Sequence, residues 1–341
     1  MNQEAFTRLM AHEDLSSDLA AEVMSTIARG EYTGVQIGCL LTALRMKGES
    51  ASEIAAFTRV MQGCAHTIHP RVSGMMVDTC GTGGDVHTGG GTFNISTAAA
   101  IVAASAGVPV VKHGNRSVSS RCGSADVLEA LGVVITQTPE QATRIIEEVG
   151  IGFLFAPLFH PAMRHVAPIR KEMGVLTVFN ILGPLLNPAG AQARLIGVYD
   201  PGLVPVIADV LRQLGVTRAL VVHGDGLDEI TVTGSTLIAE LSEGVITSRT
   251  LTPEEVGITR ADKGSLQGGS PEENAAIIRT VLKGEGGACQ DIVALNAGAA
   301  IYLGGRASDL ASGVKIAYEC IKSGQAETKL TDLIIASGER R

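Results

Sequence analysis

The chain of 341 residues contains no tryptophan, and aromatic residues make up only 3% of it. Proteins that bind single-stranded nucleic acid stack the bases on aromatic side chains, so this scarcity argues against such a platform. Cations are also in the minority, with 27 Lys and Arg against 35 Asp and Glu and a net charge of −8. That balance gives no broad attraction to nucleic acid or to an anionic membrane, so any phosphate ligand must be held by local groups.

Cysteines are few and isolated. The six cysteines show no Cys-x-x-Cys spacing and no histidines at zinc-ligand intervals, so we expect reduced thiols with mostly a packing role. No apolar run approaches the roughly 18 residues of a membrane span. Residues 1–6 also lack the basic and apolar segments of a signal peptide. The sequence therefore predicts a cytoplasmic protein.

Apolar residues are plentiful, at 45% of the chain, which is enough to bury a core. At about 150 residues per domain, the length suggests two domains. Apolar side chains recur at every fourth position from Leu15 to Ile27, and Ser50 and Glu53 have the spacing of a capping box. We interpret residues 1–70 as an N-terminal helical domain. Periodicity leaves open whether its helices only pack on the main domain or also serve oligomerisation.

Beyond residue 70 the pattern changes to short apolar runs that alternate with helical stretches ending at glycine, which is typical of an α/β domain. The strand candidates are residues 108–111, 133–135, 153–155, 195–198 and 219–222. The helix candidates are residues 95–106, 125–131, 140–149 and 203–214, followed by Gly107, Gly132, Gly150 and Gly215 as caps. We expect a large α/β domain over residues 71–341, with a central mainly parallel or mixed sheet flanked by helices.

A glycine-rich turn follows the apolar residues 75–77, with the sequence Asp78-Thr79-Cys80-Gly81-Thr82-Gly83-Gly84-Asp85. Glycines let backbone N–H groups approach an anion closely, although many such turns are only tight turns. Residues 92–97 then open an Ala-rich helix, whose N–H groups and positive dipole end favour phosphate. Plain N-capping would explain one of the polar residues Asn94, Ser96 and Thr97, but not all of them.

A second polar cluster, Lys112-His113-Gly114-Asn115-Arg116-Ser117-Val118-Ser119-Ser120, follows the candidate strand 108–111 directly. Ligands in open α/β sheets lie at the carboxyl ends of strands. Two cations, an amide and three hydroxyls within nine residues provide a dense array of donors for oxyanions. A solvated surface loop is the alternative, and it is disfavoured because Gly123-Ser124-Ala125-Asp126 leads on into another capped helix.

Taken together, these segments closely resemble anthranilate phosphoribosyltransferase. The similarity continues in Phe153-Leu154-Phe155-Ala156-Pro157, Arg164-His165 with Pro168-Ile169-Arg170, Phe179-Asn180-Ile181-Leu182-Gly183-Pro184-Leu185 with Asn187-Pro188, and His223-Gly224-Asp225-Gly226-Leu227-Asp228-Glu229. It spans nearly the whole chain, and motifs in this order are far more specific than one glycine-rich loop. The resemblance implies a magnesium-dependent enzyme that joins anthranilate to the ribose of phosphoribosyl pyrophosphate (PRPP) in tryptophan biosynthesis.

The resemblance also implies a fold and a set of site residues. Residues 160–190 would join the N-terminal helices in space, and the chain would form a homodimer through this helical domain. PRPP would be bound by Gly81, Gly84, Asp85, Thr92, Asn94, Ile95, Ser96, Thr97, Lys112, His113, Gly114, Asn115, Arg116, Ser117, Val118, Ser119, Ser120 and Ser124. Anthranilate would be held by Gly81, Asn115 and Arg170, and Mg²⁺ by Ser96, Asp228 and Glu229.

Elementary chemistry agrees with these roles. Mg²⁺ prefers oxygen ligands and usually reaches a substrate phosphate through one or two carboxylates and several waters, which suits Asp228 and Glu229. Without the resemblance, two adjacent acidic residues such as Asp228 and Glu229 would be interpreted as solvated surface residues, which are common. The aryl amine of anthranilate is already neutral near pH 7, so we assign no catalytic base. Catalysis would rest on placing the amine behind C1 of the ribose and on stabilising the departing pyrophosphate, as the ring passes through an oxocarbenium-like state.

The chain departs from the family pattern at two places. Residues 86–91, Val86-His87-Thr88-Gly89-Gly90-Gly91, lengthen the interval before Thr92 by about three residues, and we expect this glycine-rich insertion to bulge outward. Arg121 and Cys122 stand where a lysine and a serine are expected. Arg121 keeps the positive charge of the expected lysine. Cys122 has no neighbour in the sequence that suggests reactivity.

Two other functions are compatible with parts of the sequence. A pyrimidine nucleoside phosphorylase shares the two-domain plan and a Lys-His-Gly segment, but it would use inorganic phosphate without magnesium. The pair Asp228-Glu229 and the helix start at residues 94–97 favour the transferase. A catalytically idle relative that binds nucleic acid or a partner is the other alternative, and the acidic balance and scarce aromatics oppose it.

Overall fold

The computed structural model describes residues 2–83, 91–117 and 121–338. Four helices come first: α1 (Gln3–Met10), α2 (Ser17–Ala28), α3 (Gly34–Lys47) and α4 (Ala51–Gly63). Each begins at a polar cap whose side chain accepts a backbone N–H of the first turn, namely Asn2, Ser16, Thr33 and Ser50. On α4 the predicted capping box is present, since Glu53 also accepts the N–H of Ser50 at 2.8 Å. The N-terminal helices predicted from periodicity are confirmed.

Strands and helices alternate in the next part of the chain. The strands are β1 (Val77–Gly81), β2 (Val110–Gly114), β3 (Ile151–Phe155), β4 (Ala193–Gly197), β5 (Arg218–Gly224), β6 (Thr236–Ser242) and β7 (Val245–Leu251). The helices between β1 and β5 are α5 (Ile95–Ser105), α6 (Ser124–Leu131), α7 (Pro139–Val149), α8 (Ala156–Phe159), α9 (Ala167–Met173), α10 (Val178–Leu182) and α11 (Leu203–Gln213). The last four are α12 (Pro271–Leu282), α13 (Gly287–Leu303), α14 (Leu310–Lys322) and α15 (Gln325–Gly338). Short 3-10 helices occupy Pro161–His165, Gly183–Leu185, Pro253–Val256 and Lys263–Leu266.

The seven strands form one sheet in the order β3-β2-β1-β4-β5-β6-β7. The first five in this order are parallel, and β6 and β7 add an antiparallel hairpin at the edge. The predicted fold class, a small helical domain and a large α/β domain with a mixed sheet flanked by helices, is confirmed. The carboxyl ends of the parallel strands therefore lie along one edge of the sheet, where ligands of such folds bind.

Helices cover both faces of the sheet. One apolar cluster packs the Ala-rich helix α5 and the helix α13 against the sheet, and both helices are buried along most of their length. A second cluster joins α2, α3 and α4 with α10, α11 and the strands β4, β5 and β6. Residues such as Phe179 and Leu182 thus share a core with Ile37 and Leu41, which holds the chain around residues 160–190 against the N-terminal helices.

Two strand predictions need correction. Residues 133–135, predicted as a strand, form an extended connection between α6 and α7. Val133 and Ile135 are buried while Val134 is exposed, so the alternation typical of a strand arises from packing, and the N–H of Val134 is bound by the Ser337 hydroxyl at 3.0 Å. The hairpin of β6 and β7 was not among the strand candidates. Most side chains of β7 are exposed and give no apolar signal, whereas β6 is mostly buried and was missed despite its apolar residues.

Helix ends follow the sequence prediction more closely. Gly107, Gly132, Gly150 and Gly215 all have left-handed backbone, with φ of 80°, 99°, 82° and 76°. This conformation strongly favours glycine, and it confirms the predicted C-terminal caps.

In the part of the chain that the structure describes, no helix is both long enough and apolar enough to span a membrane.

Candidate active site

Four neighbouring parallel strands each end in glycine at the same edge of the sheet, and these are Gly81, Gly114, Gly197 and Gly224. A Cβ atom on Gly81 would strike the carboxylate of Asp228, and one on Gly197 would strike the backbone of Asp228. At Gly114 it would meet the hydroxyl of Ser124. These glycines are therefore required where polar segments approach the ends of the strands.

The turn after β5 brings the two acidic residues to this edge. Gly224 and Leu227 exchange backbone hydrogen bonds of 2.9 Å in both directions. Between them, Asp225 and Gly226 have φ of 52° and 90°, values that Asp and Gly tolerate in a tight reversal. The chain then passes beside β4, and it carries Asp228 over the glycines of β1 and β4.

The acidic pair is buried and held by backbone donors. Gly83 donates its N–H to Asp228 Oδ2 at 2.8 Å, and Ser96 donates its N–H to Glu229 Oε1 at 3.1 Å. The two acids are only 8% and 9% exposed, so the alternative of a solvated surface pair is wrong. Because Ser96 lies in the first turn of α5, the positive end of that helix also favours the Glu229 carboxylate.

Lys112 supplies a buried cation next to the acidic pair. Its ammonium donates to the carbonyl of Thr79 at 2.6 Å and to the hydroxyl of Ser96 at 3.2 Å. The Thr79 hydroxyl in turn donates to the carbonyl of Ser96 at 3.1 Å. The structure thus brings together Gly81, Ser96, Lys112, Asp228 and Glu229, all of which were predicted as site residues.

The helix start at residues 94–97 differs in part from its prediction. Asn94 precedes α5, but its side chain does not cap the helix. Its Nδ2 donates to the carbonyl of Cys122 at 3.1 Å, and its Oδ1 accepts Nδ2 of Asn274 at 3.0 Å. Ile95 and Thr97 are each 1% exposed, which places their side chains in the core. Sequence reasoning missed Asn274, which lies on α12 some 180 positions away.

The loop after β2 is tied to helix α6. The carbonyl of Asn115 accepts the Ser124 hydroxyl at 3.3 Å, and Asp126 accepts the N–H of Ser117 at 3.1 Å. Arg116 forms ion pairs with Asp126 at 2.9 Å and with Glu129 at 2.5 Å, and these raise its pKa.

Thr92 forms an isolated bridge with Gln267. The predicted site residues Gly84, Asp85, Val118, Ser119 and Ser120, and the insertion at residues 86–91 except Gly91, lie outside the described residues.

Cys122 fits its prediction as an inert thiol. It is buried, and its Sγ contacts Asn94 Oδ1 at 3.2 Å. Burial raises the pKa of this thiol to about 11, so the nucleophilic thiolate is disfavoured.

Arg170, predicted to hold anthranilate, lies on the short helix α9. A 3-10 turn ends at His165, and α9 begins at Ala167, because Pro168 lacks an N–H and allows only the first turn of a new helix. Arg170 is half-buried, and burial lowers its pKa. Its Nη2 donates to Asn180 Oδ1 at 3.3 Å, and its guanidinium carbon lies 5.6 Å from the ring centroid of Phe179. Within the described residues, no hydrogen bond joins Arg170 to Gly81 or Asn115.

Two buried histidines meet beside the 3-10 helix that starts at Gly183. The rings of His113 and His160 are edge to face with centroids 5.0 Å apart, and the backbone of Gly183 lies beside His113. Burial lowers the pKa of His113 to about 3 and that of His160 to about 4. Both rings are therefore neutral at pH 7. His160 was missed in the sequence, where a lone His before proline carries no specific signal.

Asp78 anchors the end of β2 from within the sheet. Its carboxylate accepts Asn187 Nδ2 at 2.7 Å and the N–H of His113 at 3.4 Å, while Asn187 Nδ2 also reaches the carbonyl of Val111 at 2.6 Å. Burial raises the pKa of Asp78, and the attraction of Lys112 and Arg194 opposes that change. These contacts fix the backbone from which Lys112 and His113 extend.

Comparison with known proteins places this arrangement in a class. Residues 73–327 match the model of a glycosyl transferase family's a/b domain, and residues 3–65 match the helical bundle domain of a glycosyl transferase family. The mixed sheet and the N-terminal helices are thus those of a two-part glycosyl transferase.

Individual relatives narrow the class further. The anthranilate phosphoribosyltransferase of Methanocorpusculum labreanum is 55% identical over 99% of this chain and 98% of its own length. That of Haloarcula marismortui is 53% identical over 97% and 99%. The crystal structure of the enzyme from Thermus thermophilus has a TM-score of 0.92 at 47% identity, covering 98% of this chain and 99% of that one. The chain belongs to the anthranilate phosphoribosyltransferase family.

A more distant structure in the same family carries ligands. The enzyme from Saccharomyces cerevisiae, in complex with PRPP and Mg, matches with a TM-score of 0.88 at 28% identity over 98% of this chain and 97% of that one.

Proposed function

We propose that this chain transfers the phosphoribosyl group of PRPP to the amine of anthranilate with the help of Mg²⁺. The products are N-(5-phosphoribosyl)anthranilate and pyrophosphate, in tryptophan biosynthesis. The observation that carries the proposal is the buried pair Asp228 and Glu229, held by the N–H groups of Gly83 and Ser96 at the carboxyl ends of the central strands. Family membership supports the same reaction.

The donor set fits magnesium. Mg²⁺ is usually bound by one or two carboxylates, waters and substrate phosphates, and it does not need an all-protein cage. Among the described residues, no cluster of three or more His, Cys, Asp and Glu side chains could form such a cage. We assign Mg²⁺ to Asp228 and Glu229 with Ser96 beside them, and when bound the ion neutralises charge on the pyrophosphate. The yeast relative in complex with PRPP and Mg supports this assignment.

PRPP is assigned to the glycine-rich turn, the start of α5 and the loop after β2. The N–H groups of the turn and the helix end attract phosphate, and Lys112 contributes a positive charge that is already buried. The predicted residues outside the described part of the chain, Gly84, Asp85, Val118, Ser119 and Ser120, belong to the same proposal. Ile95 and Thr97 support this site by packing in the core, and Asn94 by joining it to α12.

Anthranilate is assigned to the side of the site that faces α9 and α10, with Gly81, Asn115 and Arg170. Among the described residues, Arg170 has no carboxylate within ion-pair distance, and its hydrogen-bond partner Asn180 is neutral. A half-buried guanidinium with a neutral partner is suited to the carboxylate of a ligand. The yeast relative in complex with 4-fluoroanthranilate supports a site for this class of molecule.

The residues act by position and charge. The neutral aryl amine attacks C1 as the bond from C1 to pyrophosphate breaks, and the attacking nitrogen then releases one proton to solvent or to the released pyrophosphate. The chain therefore has to align the two substrates and stabilise the negative charge of the departing pyrophosphate. Lys112, whose ammonium lies beside the Ser96 hydroxyl at the start of α5, serves the second task. Burial of Lys112 strengthens its electrostatic effect, because the local dielectric constant is lower than that of water.

The domain plan is part of the proposal. We assign residues 1–70 with residues 160–190 to the helical domain and residues 71–341 to the catalytic domain, which the apolar cluster shared by α2, α3, α4 and α10 supports. A homodimer through the helical domain is supported by the exposed apolar side chains of Met10, Val35 and Met46. The six cysteines are free thiols, which supports a reducing compartment such as the cytoplasm.

The proposal is tested by following anthranilate fluorescence while PRPP and Mg²⁺ are supplied together and separately. Loss of fluorescence that needs both, with release of one pyrophosphate per anthranilate, is the expected result. Magnesium-free cleavage of pyrimidine nucleosides by inorganic phosphate, with anthranilate left intact, would instead identify a nucleoside phosphorylase.

A further inference from the structure

The turn that carries the acidic pair, residues 224–230, is fixed at its start by His223. The Nδ1 atom of this ring lies 2.8 Å from the carbonyl of Val198 at the end of β4. A carbonyl only accepts, so Nδ1 carries the proton. Nε2 then has a lone pair, and it accepts the N–H of Gly226 at 3.3 Å. One imidazole ring thus bridges the residue after β4 to the tip of the turn.

The same turn is fixed at its end by Asn296, which lies in the middle of α13 and is 0% exposed. Its Oδ1 accepts the N–H of Ile230 at 3.0 Å, and its Nδ2 donates to the carbonyl of Ile230 at 2.8 Å. Nδ2 also donates to the carbonyl of Ile292 at 2.9 Å, which sets the orientation of the amide. A single side chain therefore satisfies both backbone groups of the residue that follows Glu229.

The orientation of the turn matters because there is little free space around the acidic pair. The ends of β1 and β4 approach Asp228 so closely that neither Gly81 nor Gly197 could carry a Cβ atom, and the carbonyl of Glu229 crowds Gly224 in the same way. A small rotation of the turn would therefore move both carboxylates relative to the glycine-rich turn and α5. Such precision is needed because metal affinity depends on ligand geometry and on the groups that orient the ligands.

We propose that His223 and Asn296 are positioning residues, which clamp the two ends of the turn and thereby set the magnesium affinity of the Asp228–Glu229 pair. Both act on backbone groups of the turn. The inference rests on the proposed function, in which this pair holds Mg²⁺. Changing residues that orient metal ligands typically lowers metal affinity about 10- to 100-fold, which is the expected effect here.

Two substitutions at His223 separate its hydrogen bonds. In His223→Asn, the amide nitrogen replaces Nδ1 and keeps the bond to Val198, but the acceptor for Gly226 is lost. In His223→Gln, the longer side chain places an acceptor near the position of Nε2. We expect His223→Asn to weaken magnesium binding and His223→Gln to restore most of it, which a general loss of stability would not do.

The readout is binding, measured on the full chain by calorimetric titration of PRPP at a series of Mg²⁺ concentrations. For His223→Asn and Asn296→Leu, the Mg²⁺ concentration at half-maximal PRPP binding should rise roughly tenfold or more. The control is Leu303→Ala, which truncates a buried side chain at the C-terminal end of α13. This control should lower the melting temperature and leave the magnesium requirement unchanged.

The outcomes distinguish the positioning role of His223 and Asn296 from the metal-binding role of Asp228 and Glu229. If Asp228→Asn with Glu229→Gln raises the magnesium requirement while His223→Asn and Asn296→Leu leave it as in the wild type, the positioning role is wrong and the proposed metal pair stands. If the double substitution leaves the requirement unchanged, the metal pair itself is wrong. Should Asn296→Leu fail to fold, the comparison of His223→Asn with His223→Gln decides, because equal magnesium requirements in both would overturn the inference.

Discussion

At the scale of single residues, the surroundings of a side chain decide which role it can take. Arg116 and Arg170 carry the same group, but Arg116 is paired with Asp126 and Glu129, whereas Arg170 contacts only neutral partners among the described residues. The charge of Arg116 is therefore already used in holding α6 to the loop after β2. The charge of Arg170 is the one that a carboxylate substrate can pair with.

Replacing Arg170 with alanine should raise the KM for anthranilate strongly and leave the KM for PRPP nearly unchanged. A hydrogen bond to a charged group contributes about 1.5–3 kcal/mol, which corresponds to roughly a 10- to 150-fold change. Titration of each substrate at saturating Mg²⁺ measures the two constants. Arg164→Ala, an exposed arginine nearby, serves as the control. Equal weakening of both substrates, or of neither, would remove Arg170 from the anthranilate site.

His160 makes stability depend on pH in a defined window. Burial lowers its pKa to about 4, and repulsion by His66 adds to the effect, whereas an unfolded chain has a histidine pKa of about 6.5. Between these values the unfolded chain binds a proton that the folded chain does not, so the free energy of unfolding falls as the pH falls. His160 contributes a slope of about 1.4 kcal/mol per pH unit there.

Urea unfolding at pH 7, 6 and 5 measures this slope. The substitution His160→Gln removes the titrating group, so its stability should fall less steeply than that of the wild type across the same range. Parallel pH dependence of the two proteins would show that His160 is not kept neutral by burial.

At the scale of elements, local signals predicted the helices and most parallel strands well. Capping residues and glycines with left-handed backbone marked the helix ends, and apolar runs marked β2, β3, β4 and β5. The exposed strand β7 gave no such signal, and the alternation of Val133 to Ile135 came from packing against the core. Both failures arise because periodicity records burial, which other structures can also produce.

The same distinction holds at the site, where some residues belong to local sequence motifs and others are revealed only by long-range contacts. Gly81, Ser96, Lys112, Asp228 and Glu229 lie in motifs and were predicted. The structure joins Ser96 to Lys112 and Glu229 by hydrogen bonds, and it places Asp228 beside Gly81. Asn274 and Asn296 stand inside ordinary helices, and their partners are 180 and 66 positions away. No spacing rule connects residues at such separations, so only the folded chain reveals these contacts.

A methyl group at the end of β4 should damage the site. In Gly197→Ala, the added Cβ would collide with the backbone of Asp228, which cannot move aside as a flexible side chain could. Such overpacking costs about 1–3 kcal/mol of stability, and the displaced acidic pair should weaken magnesium-dependent turnover. Chemical unfolding and an activity assay over a range of Mg²⁺ concentrations measure the two effects.

The matched control is Gly38→Ala, where a Cβ would find no atom within 4 Å inside helix α3. It should raise stability by roughly 0.5–1 kcal/mol, since alanine loses less backbone entropy than glycine in a helix. A Gly197→Ala protein as stable and active as this control would show that the end of β4 does not need glycine.

At the scale of the whole molecule, one edge of one sheet gathers segments that are far apart in the chain. The strand order places β2, β1, β4 and β5 side by side, so the loops after them share a single edge. Helices α9 and α10 approach from the helical part, where they share an apolar cluster with α3. The glycine-rich turn and the acidic pair are thus contributed by two distant regions of the sequence that folding brings to one edge of the sheet.

In the proposed reaction, the buried pair Asp228 and Glu229 holds the Mg²⁺ that phosphoribosyl transfer requires. The most direct measurement is the PRPP-dependent loss of anthranilate fluorescence by the wild type and by the protein carrying Asp228→Asn with Glu229→Gln, over a range of Mg²⁺ concentrations. The double variant should fold, as judged by circular dichroism, and lose roughly 10²–10³-fold or more of the rate at any Mg²⁺ level. A folded double variant that turns over at the wild-type rate, with an unchanged magnesium requirement, would contradict the account.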